Sequence, residues 1–285
     1  MKRYLNHIAA LVVGVLLISC SGNQQKAVEE ETATEAVEVE VEVNITGNEV
    51  TYATDSTTMK GYLVKDANAT DKRPGVLVIH EWWGHNDYTR ERADMLAELG
   101  YTALAVDMYG DGKKAEHPDD AGKFMTETLS NLPEAKARFE QALATLKADP
   151  SVDGERIAVV GYCFGGSVAL SMANAGYDID AVAAFHSGLG LPIMPEAGTI
   201  KAEILVCNGA DDPFVPAEQT AAWKSAMDAA GANYKYIGYE GAVHAFTSKG
   251  ADAMGEQFGL PLAYQKEADE QSWEEMKALF DRTLK

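Results

Sequence analysis

The chain has 285 residues, of which 44 are Asp or Glu and 24 Lys or Arg, giving a formal charge of −20 at pH 7. That balance excludes nucleic acid as a partner, because phosphate binding needs a basic face, and it leaves the protein surface itself repelled by anionic lipid. The length suits one α/β domain of roughly 200 to 250 residues with an appendage.

The appendage comes first. Lys2 and Arg3 precede an apolar run from Ile8 to Ile18, then Ser19, Cys20 and small polar residues. The run is too short to remain as a spanning helix and reads as the core of a signal peptide. Leu17-Ile18-Ser19-Cys20 resembles the bacterial lipobox, in which the cysteine is lipidated and the preceding peptide removed. The resemblance implies a signal peptide over residues 1–19 and an exported cell-envelope lipoprotein, facing the periplasm or the cell surface, held to a lipid bilayer through acylated Cys20. Residues 20–49 carry eight glutamates, from Glu29 to Glu49, and no aromatic. Such a segment buries too little apolar surface to offset its ordering entropy and reads as a flexible acidic tether. The alternation over residues 37–43 suits an edge strand, but its carboxylates repel one another.

The domain is expected over residues 50–285. Residues 50–52 and 61–65 read as an entering hairpin. Residues 76–80, a continuous apolar run, read as a strand buried on both faces, ending in Glu81-Trp82-Trp83-Gly84-His85. Asn86 caps a helix that runs through Leu99 and stops at Gly100. A strand over 101–106 ends at Asp107-Met108-Tyr109-Gly110, and residues 111–149 are polar and then helical, with Leu132-Pro133 as an entry and Asp149-Pro150 as an exit. After a strand over 157–160 come strands over 181–185, 203–207 and 234–239, with helices over 216–230 and 264–284. This alternation predicts an α/β fold with a mostly parallel central sheet flanked by helices on both faces.

Gly161-Tyr162-Cys163-Phe164-Gly165 lies between a strand and a helix and has the spacing of the nucleophile elbow G-x-S-x-G, with cysteine in place of serine. The glycines let strand and helix approach without Cβ clashes, and the helix N-terminus favours a thiolate at Cys163. In parallel sheets the site lies beyond the carboxyl ends of the strands, where Asp211, Asp212 and His244 also fall. The order nucleophile, acid, histidine is that of the α/β-hydrolase triad. A thiolate attacks an acyl carbon, a histidine moves its proton, and a carboxylate fixes the imidazole tautomer. Cys207 belongs to a strand that is not a neighbour of the elbow strand, beyond disulfide reach of Cys163.

Over residues 50–285 the chain resembles the dienelactone hydrolase family. The motifs are His80-Glu81-Trp82-Trp83-Gly84, Asp107-Met108-Tyr109-Gly110, Gly161-Tyr162-Cys163-Phe164-Gly165-Gly166, Asp212-Pro213-Phe214-Val215-Pro216 and His244-Ala245-Phe246. The resemblance implies an α/β-hydrolase that cleaves a small ester or lactone through Cys163, His244 and Asp212, the aspartate ahead of x-Phe-Val-Pro, and a thioester acyl-enzyme. It also implies that Glu81 holds the resting cysteine and helps its activation. A carboxylate beside two tryptophans is partly desolvated, with its pKa biased upward. The backbone N–H groups of Phe164 and Trp82 would form the oxyanion hole. Trp83, Tyr109 and Phe246 would shape an aromatic pocket; His186 either lines it or is structural.

No cofactor is implied, and no metal: His80 and His85 are five apart and lead off a strand, unlike the helical H-E-x-x-H pair. The family holds its lactone carboxylate with two arginines, at whose places stand Asp111 and Ser248, with Lys249 nearby. An acidic residue there would repel an anionic lactone. The alternative function is a non-catalytic envelope lipoprotein binding a small ligand in the same pocket, against which a complete triad argues. The substrate, the membrane and the oligomeric state are not written in these residues.

Overall fold

The structure, a computed structural model, describes residues 43–285. The stretch read as a signal peptide, Cys20 and most of the segment read as an acidic tether lie outside the described residues. Strand β1 (Ile45–Ala53) pairs antiparallel with β2 (Thr58–Asp66), then β3 (Arg73–Ile79) leads to helix α1 (Asp87–Glu98) and β4 (Thr102–Val106). Helices α2 (Pro118–Ser130) and α3 (Leu132–Ala148) precede β5 (Val152–Tyr162) and α4 (Phe164–Asn174). The remainder is β6 (Ala181–Phe185), β7 (Glu203–Gly209), α5 (Ala217–Ala230), β8 (Tyr234–Tyr239), α6 (Ala251–Phe258) and α7 (Lys266–Thr283).

The strands form one eight-stranded sheet in the order β1-β2-β4-β3-β5-β6-β7-β8. β2 runs antiparallel to β1 and β4, and every pairing from β4 to β8 is parallel. This is the α/β-hydrolase fold. Alternate residues of β3 enter opposite cores: Leu77 and Ile79 belong to the one that holds Phe139 of α3 and Trp223 of α5, Val76 and Val78 to the one that holds Leu96 of α1 and Met276 of α7. A strand buried on both faces is therefore apolar at every position, which is why its sequence shows no alternation.

Three boundaries differ from the sequence reading. The first strand begins at Ile45, ahead of Val50, because the entering hairpin is long enough for Ile45 to pair with Asp66; the tether therefore ends before residue 49. The 111–149 segment contains two helices, α2 beginning at Pro118 with His117 as cap. α6, an eight-residue helix closed by Gly259 in the left-handed region, falls in a stretch left without an element.

Candidate active site

Cys163 sits between β5 and α4 with φ 53°, a left-handed conformation that favours glycine. Its neighbours make that turn obligatory. A Cβ on Gly161 would strike the carbonyl of Gly165, one on Gly165 the carbonyl oxygens of Ile79 and His80, and one on Gly166 the Ser187 hydroxyl. The chain therefore crosses from strand to helix at backbone contact, Cys163 N donating to Phe185 O at 2.9 Å, and the partly exposed thiol stands at the mouth of the turn.

His244 Nδ1 and Asp212 Oδ2 are 2.7 Å apart, and Asp212 Oδ1 accepts from Phe214 N at 2.8 Å. One carboxylate oxygen thus meets the ring and the other is anchored by the backbone. Asp211 is exposed and accepts from Gly241 N at 3.0 Å, making it a turn residue. With Nδ1 engaged by Asp212, the other nitrogen of His244 is left for the Cys163 thiol. Burial disfavours a charged imidazole, but Cys163 and the Asp212 hydrogen bond outweigh it and raise His244 to about 10.

The opposite wall is the loop after β3. His80 is fully buried; its Nε2 accepts from Met108 N at 3.2 Å and its Nδ1 donates to Glu81 O at 2.5 Å. Tyr109 hydroxyl donates to Trp82 O at 2.9 Å. Asp107 accepts from the N–H groups of Lys60, Tyr109, Gly110 and Gly112, and Arg138 donates to the carbonyls of Met108 and Tyr109. The loop is therefore pinned to the end of β4. The Trp82 N–H has no acceptor among the described residues, and Phe164, the first residue of α4, is at a position whose N–H finds none within a helix.

Glu81 is buried, and its carboxyl makes no side-chain hydrogen bond; the ring of His186 approaches it at 4.0 Å. Burial pushes Glu81 up to about 7, against the pull of His244 and Arg92. His186, at φ 39°, is fully buried and held neutral first by burial and then by the charges of His244 and Arg92. Its Nε2 meets Thr247 Oγ1 at 2.8 Å, which meets the Tyr88 hydroxyl at 2.6 Å. Arg92 donates to Thr247 O at 2.5 Å and to Asp269 Oδ1 at 2.6 Å.

Of the residues expected to line the pocket, Trp83 faces a cavity of about 240 Å³ that Glu81 also lines. The other three are placed differently. Tyr109 is buried and borders a separate space of about 70 Å³ beside α2 and α3. Phe246 is fully buried against the rings of Tyr239 and His186, and His186 is enclosed with it. Asp111 is an exposed turn residue at φ 58°. Ser248 lines the cavity, and Lys249 lies out on the surface, 3.8 Å from Glu91. Cys207 is a buried thiol on β7, with β6 between it and the elbow strand. Sequence reasoning missed His80 as a tie between strand ends, and missed Arg92, Thr247 and Asp269. A lone arginine on the apolar face of α1 was the available signal.

Among the described residues, no group of three or more His, Cys, Asp or Glu side chains is placed to hold a metal ion, and no helix is long and apolar enough to cross a membrane.

Comparison with known proteins adds the following. The model of the dienelactone hydrolase family matches residues 59–284. The chain is 33% identical over 217 residues to protein usf of Aquifex pyrophilus, covering 71% of this chain and 88% of that protein. It is 30% identical over 217 residues to a putative carboxymethylenebutenolidase of Aquifex aeolicus (strain VF5), with the same coverage of 71% and 88%. Among solved structures it is similar to m3DLH, at 38% identity and a TM-score of 0.80, covering 85% of this chain and 99% of that one. A dienelactone hydrolase-like promiscuous phosphotriesterase from metagenomic libraries follows at 34% identity and a TM-score of 0.78, with coverage of 85% and 99%.

Proposed function

This chain belongs to the dienelactone hydrolase family, and on that premise we propose that it is a thiol hydrolase that cleaves a small carboxylic ester or lactone with Cys163, His244 and Asp212. The observation that carries the reading is the His244–Asp212 contact of 2.7 Å beside a cysteine in the elbow turn. A binding module has no use for a matched nucleophile, base and orienting acid.

The Cys163 thiolate adds to the acyl carbon, and the carbonyl electrons move onto oxygen, which the N–H groups of Trp82 and Phe164 stabilise. The carbon–oxygen bond to the alcohol then breaks, and the alkoxide takes the proton from His244. A thioester remains on Cys163. His244, neutral again, removes a proton from water; the hydroxide adds to the thioester, and the thiolate leaves to restore the ion pair. Asp212 holds the tautomer throughout. Glu81, a buried carboxyl on the loop after β3, takes the thiol proton when Cys163 and His244 are not paired.

Mass spectrometry of the full-length protein, mixed briefly with short-chain p-nitrophenyl esters and enol-lactones, tests this. An acyl adduct on Cys163 that forms and decays, absent from Cys163→Ala, is the expected result. A folded protein with neither adduct nor release, whose Cys163 also ignores iodoacetamide, would leave the family fold with a ligand-binding role.

The same reading extends to the N-terminus: residues 1–19 direct export, acylated Cys20 anchors the chain, and the acidic segment tethers the domain at the envelope surface. The charged start, the apolar run and Leu17-Ile18-Ser19-Cys20 support it. Metabolic labelling with an alkyne fatty acid should mark the wild type and not Cys20→Ser, which should leave the membrane fraction; a Cys20→Ser protein still membrane-bound would count against it.

A further inference from the structure

The cavity beside Glu81, about 240 Å³, is smaller than pockets that take drug-sized ligands. One side is polar but uncharged: Asn86, Tyr88 and Ser248. The other is apolar and comes from the segment around α6: Ala251, Met254 and Leu262, which cluster with Ala245. That segment is clamped to the histidine loop, since Leu262 bridges His244 and Ala263 N donates to His244 O at 3.3 Å. The cavity wall is therefore tied directly to the proposed base.

Its charge is the informative property. No Lys, Arg or His lines it, and its one carboxyl is Glu81. Lys249, next to Ser248, is 74% exposed and directed to Glu91. Arg92, behind Tyr88, is committed to Asp269 and the Thr247 carbonyl. A carboxylate entering this space would lose its water, gain no cation and face Glu81. An alkyl group would gain apolar burial against Met254 and Leu262.

The two halves of an ester are told apart by His244. It gives its proton to the departing alcohol, so the alcohol lies against the imidazole. There Phe214, half-exposed, stands edge-on at 5.1 Å and is not part of the cavity wall. The acyl half stays on Cys163, and the enclosed space left for it is the cavity that adjoins the histidine loop through Ala245 and Leu262. We infer that this cavity is the acyl site for a short, uncharged aliphatic chain, with Met254 limiting its length and the absence of a lining cation excluding anionic acyl groups. The inference rests on the thiol-hydrolase reading above.

The test compares kcat/KM of the full-length protein on p-nitrophenyl hexanoate and on the p-nitrophenyl half-ester of adipic acid, which differ by a terminal carboxylate. We expect at least a ~30-fold preference for the hexanoate, the size of effect an unpaired buried charge imposes. Ser248→Arg should shrink that preference by ~10-fold. Met254→Ala should raise the decanoate-to-butanoate ratio by ~10-fold. Equal use of the adipate half-ester, or a Met254→Ala change that shifts preference in an alcohol series while the acyl series stays put, would overturn the acyl-site inference with hydrolysis intact. No turnover and no Cys163 adduct with any ester would instead overturn the hydrolase reading, and this inference with it. The wild-type pair and Ser248→Arg decide the question even if Met254→Ala folds poorly.

Discussion

The two sides of the site are held by different physics. The cysteine side is a backbone device: Gly161, Gly165 and Gly166 bring strand, turn and helix into contact, and Cys163 takes the one conformation that remains. The histidine side is a side-chain device. His244 sits on a loop between β8 and α6, and its place depends on Asp212, on Arg92 through the Thr247 carbonyl, and on Tyr88 and His186 through the Thr247 hydroxyl. The backbone device is written in six consecutive residues, though it closes against the ends of β3 and β6; side-chain bracing draws on segments from α1 to α7. The first tolerates almost no added atom, whereas the second fails when a partner is removed.

The sharpest division concerns the adjacent aspartates. Asp212→Asn should lower kcat/KM by ~10³-fold or more, because an amide selects the wrong imidazole tautomer, while Asp211→Asn should change it by less than ~3-fold. Steady-state kinetics with a chromogenic ester reads both, and equal losses would undo the assignment. Next in size, Arg92→Met should cost about 3 to 5 kcal/mol in chemical denaturation, since it leaves Asp269 buried without its cation and Thr247 O without its donor. A loss below ~1 kcal/mol would mean that the histidine loop is not braced from α1.

On the cysteine side, Gly165→Ala should destabilise by about 3 kcal/mol, the methyl meeting two carbonyl oxygens that belong to the β3 end. Gly250→Ala, where an added Cβ meets nothing within 4 Å, is the matched control. The smallest effect concerns Glu81, whose folded carboxyl is raised from 4.5 to about 7. The folded state holds that proton more tightly than the unfolded chain, so stability is full below about pH 4.5, falls as pH rises to about 7 and is level above. Glu81→Gln should therefore stabilise by about 2 kcal/mol at pH 8 and by little at pH 4. A gain of the same size at both pH values would show packing and not ionisation to be responsible.

Much of this was readable in advance because it is local. The elbow pentapeptide, the buried run of β3 and the Asn86 cap, whose side chain accepts from Thr89 N, each depend on a few consecutive residues. Asp212 was separable from Asp211 only through the family motif, and the contact with His244 shows the physical ground for it. His80 invited comparison with metal ligands, and its actual bonds run to Met108 N and Glu81 O on two different strand ends. Phe246 and Tyr109 looked like pocket aromatics because an aromatic after a strand end gives no hint of which way it faces; here both turn into the core. α6 escaped notice because only a few of its positions are buried.

By itself the sequence determined the strand–helix alternation, the parallel sheet, the glycine-lined turn at Cys163 and the order of nucleophile, acid and histidine, because periodicity and glycine spacing act over one or two turns of chain. Tertiary structure alone decided how Arg92 and Thr247 brace the His244 loop, that Lys249 stays outside, and that α6 closes a cavity lined by no cation and by one carboxyl, Glu81. Those depend on groups far apart in the chain meeting where water is excluded, and there partner geometry and charge balance outweigh local preference.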